Sequence, residues 1–204
     1  MASNDLVHVV DDDVEVRKSL GFLLATADFA VRLYESASAF LATATGNLDG
    51  CIVTDVRMPG IDGIEFLRQL RSRGHSIPVI VMTGHADVAL AVQAMKEGAA
   101  DFIEKPFDDV ILIDAIRSAL GNRNQVHAAH PQSAEIRARL STLSEREKQV
   151  LDGLVSGLPN KTIAYDLGIS PRTVEIHRAN VMSKMNASSL SHLVRMALIV
   201  ESQA

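Results

Sequence analysis

The sequence predicts an α/β domain, a five-stranded parallel sheet doubly wound by helices, followed by a smaller all-α domain. Three observations carry this. Five short β-rich runs alternate with five helical patterns through the first 121 residues. Two of those runs, Leu6–Val10 and Val79–Met82, are almost continuously apolar, as strands buried on both faces must be. From Ser141 onward strand signals stop and only helical patterns remain.

The strands are expected at Leu6–Val10, Ala30–Leu33, Cys51–Thr54, Val79–Met82 and Asp101–Ile103. The helices are expected at Val14–Ala27, Ser36–Ala44, Gly63–Ser72, Ala86–Glu97 and Asp108–Leu120. Gly98 suits the C-terminal cap of the fourth helix. Residues 1–121 form this first domain and residues 122–136 a linker, rich in Gly, Asn, Gln, His and Pro, with Pro131 opposing one unbroken helix. Residues 137–204 form the second domain. There Ser144 and Glu147 have the spacing of a capping box, and later helices start near Asn160, Ser170 and Ser188.

Composition narrows the function classes. The chain is 47% hydrophobic and 22% charged, ordinary for a globular protein. No apolar run nears the roughly 20 residues that cross a bilayer, so no membrane association is expected. Met1 to Asp5 lacks the pattern of a secretory signal, and Cys51 is a lone cysteine, which excludes an internal disulfide. A cytoplasmic setting is expected. The net charge of −5 is unevenly spread: residues 1–121 hold 18 acidic and 10 basic residues, residues 122–204 hold 7 and 10. The basic tail suits nucleic acid, or it is simply a different surface composition.

Polar residues cluster after the strands. Asp11, Asp12 and Asp13 follow the first, Asp55 ends the third, Thr83 follows the fourth and Lys105-Pro106 follows the fifth. With strand order 2-1-3-4-5 the first and third strands are neighbours where the order reverses, and ligands bind there, beyond the carboxyl ends. Several carboxylates in one crevice need a counter-ion, and magnesium satisfies them while leaving positions for phosphate. Lys105 and Thr83 add an ammonium and a hydroxyl, a set suited to phosphoryl transfer onto a carboxylate. Each residue has a plainer reading: the Asp run as a helix N-cap, Asp55 as a loop cap, Lys-Pro as a surface turn, Thr83 as a local partner.

The segments Val10–Asp13, Thr54–Gly63, Met82–His85 and Glu104–Phe107 resemble the flavodoxin-like receiver domain of bacterial response regulators. The resemblance implies that Asp55 accepts phosphate from a sensor histidine kinase docking near Val14 to Leu20. It implies that Asp11, Asp12, Asp55 and the backbone carbonyl of Arg57 hold Mg2+. Lys105 and Thr83 would contact the acyl phosphate, Lys105-Pro106 would be cis, and Phe102 would be the rotating switch aromatic or, read plainly, core.

The second domain carries a helix, a turn and a helix. Ile163, Ala164 and Leu167 line one side of the first, Gly168 allows the turn, and Ser170 with Pro171 opens the second. Val174, Val181 and Met185 give that helix an apolar face. With Leu143–Glu147 and Lys184-Met185, this stretch resembles the LuxR-type helix-turn-helix DNA-binding domain. The resemblance makes Pro171 to about Lys184 the recognition helix. Arg172, Thr173, Glu175, His177 and Arg178 are candidates for base and phosphate contacts, and Asn160, Lys161 and Lys184 for phosphates. A solvated surface helix is the plainer alternative.

Both domains together resemble the FixJ group of nitrogen-fixation transcriptional activators. The resemblance implies a regulator, not an enzyme, that dimerises when phosphorylated through the region Ala86 to Ile103. It implies binding of double-stranded promoter DNA and engagement of RNA polymerase. A magnesium-dependent phosphatase or phosphotransferase, and a relay whose tail binds protein, are the rivals.

Overall fold

The computed structural model describes residues 5–84, 88–121 and 129–201. His85 of the fourth-strand motif, the expected helix start at Ala86 and residues 122–128 of the expected linker lie outside them. By compactness the chain divides into two units, residues 1–86 with 97–125, and residues 87–96 with 126–204.

The first unit is built on β1 (Leu6–Val10), β2 (Ala30–Tyr34), β3 (Cys51–Asp55), β4 (Val79–Thr83) and β5 (Asp101–Glu104), all parallel, in the order β2-β1-β3-β4-β5. Its helices are α1 (Val14–Thr26), α2 (Ala37–Thr43), α3 (Gly63–Ser72) and α5 (Asp109–Gly121). Alternate strand residues face opposite sides. Val7, Val9, Cys51, Val53, Ile80, Met82 and Ile103 pack with Leu20 and Leu24 of α1 and Leu112, Ala115, Ile116 and Ala119 of α5. On the other face, His8 of β1 meets the Phe40 ring of α2 edge-on at 5.2 Å, and Phe40 meets Phe66 of α3 at 5.4 Å. Burial lowers the His8 pKa, disfavouring a charge on that imidazole, against the Asp49 backbone hydrogen bond.

The register sets the site. Val10 lies opposite Thr54, Asp55 opposite Met82, and Thr83 opposite Glu104. Asp11, Asp55, Thr83 and Lys105 therefore emerge at one end of four adjacent strands. Part of the plain capping alternative also holds. Asp13 caps α1 by accepting the amides of Glu15 and Val16, and Asp62 caps α3 through Glu65. Gly63, the first residue of α3, lies against the β3 terminus, where a Cβ would run into the Asp55 carbonyl. Only glycine lets α3 start this close to the end of β3. At the other end of α3, half-buried Arg71 donates to the carbonyls of His75, Ile77 and Gly98, joining the turns before β4 and β5.

The second unit contains α4 (Val88–Lys96), α6 (Ala129–Ser141), α7 (Glu145–Val155), α8 (Asn160–Leu167), α9 (Pro171–Met185) and α10 (Leu190–Glu201). Helix α6 begins within the stretch expected as linker. Pro131 falls in its first turn, where no intrahelical N–H bond is lost, so it does not break the helix. Ile136, Leu143, Val150, Leu154, Ile163, Val174, Val181, Met185 and Leu193 form the core. Ser144 and Glu147 make the expected reciprocal capping box. Gly168 ends α8 in the left-handed conformation at φ 64°, and Ser170 caps α9 with Pro171 in its first turn. No helix among the described residues is long and apolar enough to cross a membrane.

Candidate functional site

Lys105 organises the strand-end pocket. Its ammonium lies 2.7 Å from Asp55 Oδ1 and 3.3 Å from Asp11 Oδ2. The second Asp55 oxygen accepts the Arg57 backbone N–H at 2.6 Å, and the second Asp11 oxygen accepts that of Asp13 at 2.9 Å. The Lys105-Pro106 bond is cis. Burial pulls the Lys105 pKa down, but the Asp55 hydrogen bond and the charges of Asp55 and Asp11 outweigh it, so the net shift is upward. Burial raises the Asp11 pKa, against the Asp13 amide and Lys105. One ammonium thus serves two carboxylates.

Two further groups stand ready for a ligand. The Thr83 hydroxyl is buried with no hydrogen-bond partner, which is costly unless something fills the place. Asp12 is exposed, and among the described residues no hydrogen bond or ion pair engages its carboxylate. Among the described residues no three acidic, His or Cys side chains already close around a metal position. The candidate donors nevertheless fit a hard cation: all are oxygens, from Asp11, Asp12 and Asp55, with the Arg57 carbonyl two residues beyond Asp55. Phe102 of β5 is half-buried, with its backbone N–H held by the Asp101 carboxylate at 2.8 Å.

In the second unit, α9 presents a defined outward face. Val174, Val181 and Met185 are buried. At about 100° per residue the opposite side carries Arg172, Ile176, Ala179 and Ser183, with Glu175 and Asn180 at its edges. All six are exposed, Ile176 by 56%. Ile176 and Asn180 were not singled out from the sequence. The helical spacing from Val174 and Val181 was the signal that could have found them. His177 and Arg178 are half-buried beside the apolar stripe, and Thr173 shares a hydrogen bond with the capping Ser170 at 2.8 Å. Lys161 is exposed at the start of α8, while Asn160 keeps its Oδ1 buried.

Lys184 takes a different position from the one expected. Its ammonium is held at 2.7 Å by Glu147, a nearly buried residue of α7. That ion pair, with the Ser144 backbone amide, lowers the Glu147 pKa to about 2. Arg139 of α6 donates to the Met185 carbonyl at 2.9 Å. Together these contacts dock the C-terminal end of α9. Because the folded Glu147 pKa lies below its ordinary 4.5, its stabilising effect is present above pH 4.5 and fades as pH falls toward 2. Acid titration followed by circular dichroism is expected to show Glu147→Gln lacking this component, and an unchanged acid midpoint would rule it out.

Comparison with known proteins agrees with both halves. Residues 7–117 match the response regulator receiver domain, and residues 141–197 match the luxR family of bacterial regulatory proteins. The chain is 59% identical to the transcriptional regulatory protein FixJ of Azorhizobium caulinodans over 193 residues, 95% of this chain and 92% of that one. It is 59% identical to FixJ of Rhizobium meliloti, covering 94% of each. Among solved structures, full-length FixJ from B. japonicum aligns with a TM-score of 0.59 at 48% identity, covering 98% of this chain and 99% of that one. The chain belongs to the response regulators, pairing a receiver domain with a LuxR-type DNA-binding domain, and is close to FixJ, a nitrogen-fixation transcriptional activator.

Proposed function

We propose that Asp55 is the phosphoacceptor and that its phosphorylation controls DNA binding by α9, without turnover of free substrate. The observation that carries this is the Lys105 ammonium 2.7 Å from Asp55, in a pocket that also holds the orphaned Thr83 hydroxyl. A phosphoryl group passes from a kinase histidine to an Asp55 oxygen: the P–N bond breaks, the O–P bond forms, and imidazole leaves. Lys105 and Thr83 then hold the phosphoryl oxygens by charge and hydrogen bond. Asp11, Asp12, Asp55 and the Arg57 carbonyl are suited to Mg2+, which supplies charge neutralisation during transfer.

The new charge draws Thr83 and Lys105 toward Asp55, and Phe102 turns inward as the switch. The region 86–103 then pairs with a second copy. Two α9 helices in a homodimer match a two-fold site in double-stranded promoter DNA. Arg172, Glu175, Ile176 and Asn180 face the base edges. Lys161 reaches phosphates, with Asn160, Thr173, His177, Arg178 and Lys184 supporting the helix ends and flanks. RNA polymerase is the downstream partner, nitrogen-fixation promoters are the target class, and the cytoplasm is the setting.

A labelling experiment with a small-molecule phosphodonor tests the reading. Each chain is expected to take up a single phosphoryl group, labile to base and to hydroxylamine as an acyl phosphate is, in Mg2+ and none in excess EDTA. Continuous multiple turnover would favour the phosphatase alternative.

A further inference from the structure

Arg17 lies within the stretch expected to meet the kinase, Val14 to Leu20, yet it is also fastened to the acidic pocket. Its Nη1 donates to the Asp11 backbone carbonyl at 2.6 Å. Arg17 stands one turn into α1, and helical side chains lean toward the N-terminus, so the guanidinium reaches back over the β1–α1 junction. All the other polar groups of Asp11 are also engaged. Its N–H donates to the Tyr34 carbonyl at 3.3 Å, one carboxylate oxygen accepts from Asp13 and the other from Lys105. Asp11 is 2% exposed, so its carbonyl has no ready exchange of this donor for water.

The Asp11 carbonyl belongs to the peptide group that leads into Asp12. Holding the carbonyl fixes the plane of that peptide, and with it the point from which the unengaged Asp12 carboxylate projects. We propose that Arg17 is a positioning residue for the cation: it holds the Asp11–Asp12 peptide so that both carboxylates are presented in one arrangement before Mg2+ arrives. The inference rests on the cation pocket proposed above. Its chemistry is that of an outer partner which orients ligands without touching the ion, and losing such a partner typically weakens metal binding roughly 10–100-fold.

The test is calorimetric titration of the full chain with MgCl2 at constant ionic strength, with melting curves recorded in EDTA. Arg17→Met is expected to weaken Mg2+ binding about tenfold or more while the chain stays folded in EDTA, its melting transition dropping only by the modest cost of one lost hydrogen bond. Arg17→Lys keeps a cationic donor and is expected to recover part of the affinity. In phosphoryl labelling the Mg2+ concentration for half-maximal rate should rise in Arg17→Met, with the rate at saturating Mg2+ preserved. Wild-type Mg2+ affinity in Arg17→Met overturns the assignment. So does affinity lost in step with the EDTA melting transition, which makes Arg17 purely structural. Wild-type protein that takes up no Mg2+ overturns the pocket reading itself and this inference with it.

Discussion

Asp55→Asn is expected to abolish phosphoryl uptake while leaving the receiver folded. The amide has the same shape but lacks the anionic oxygen that forms the O–P bond. Its single oxygen can accept from one of the two donors that hold Asp55 now, Lys105 or the Arg57 N–H, so one of those two bonds is lost. The pocket also keeps the Lys105–Asp11 pair. The loss therefore reports chemistry and not collapse. Base- and hydroxylamine-labile labelling of the variant, with a melting curve as control, checks it. Label retained at the wild-type level would place the acceptor elsewhere, and Asp12, exposed and unengaged, would be the next residue to examine.

Ile176→Glu is expected to remove most of the specific DNA affinity without unfolding the second unit. Ile176 is 56% exposed on the side of α9 opposite Val174 and Val181, so the change adds no buried charge. It places a carboxylate beside Glu175 on the surface that must approach a polyanion. A lost or wrong base contact costs about 1–3 kcal/mol, so affinity should fall on the order of 10- to 100-fold. Gel shift at two salt concentrations, with circular dichroism of the same sample, measures this. Unchanged affinity would move the reading face toward His177 and Arg178.

The receiver was legible because its chemistry sits at punctuation marks. Asp11 and Lys105 each follow directly on a strand, and Asp55 and Thr83 each close one. Strands buried on both faces announce themselves as unbroken apolar runs. Parallel register then brings their ends together, as the Val10–Thr54 and Thr83–Glu104 pairs show. The capping box of α7 and the Gly168 turn were legible for the same reason: local backbone demands select particular residues.

What escaped were features set by packing between distant residues. Glu147 reads as a cap, but its second task is to hold Lys184, 37 residues away. Ile176 is apolar and lies two residues from buried Val174, so its residue type suggests core, and it takes the helical spacing from Val174 and Val181 to turn it outward. Pro131 looks like a barrier to a helix, and its place in the first turn of α6 removes the objection. The glycine at 63 reads as an ordinary helix start, and the reason for it is the Asp55 carbonyl alongside. Arg17 is one charge among many on α1 until its bond to the Asp11 carbonyl is seen.

The most direct test of the whole scheme is the affinity of the full chain for its promoter DNA at fixed salt, with and without a small phosphodonor in Mg2+. Phosphorylation at Asp55 is predicted to tighten binding severalfold, with no gain in Asp55→Asn. Equal affinity in the presence and absence of stoichiometric phosphorylation would show that the two domains are not coupled, contradicting the account.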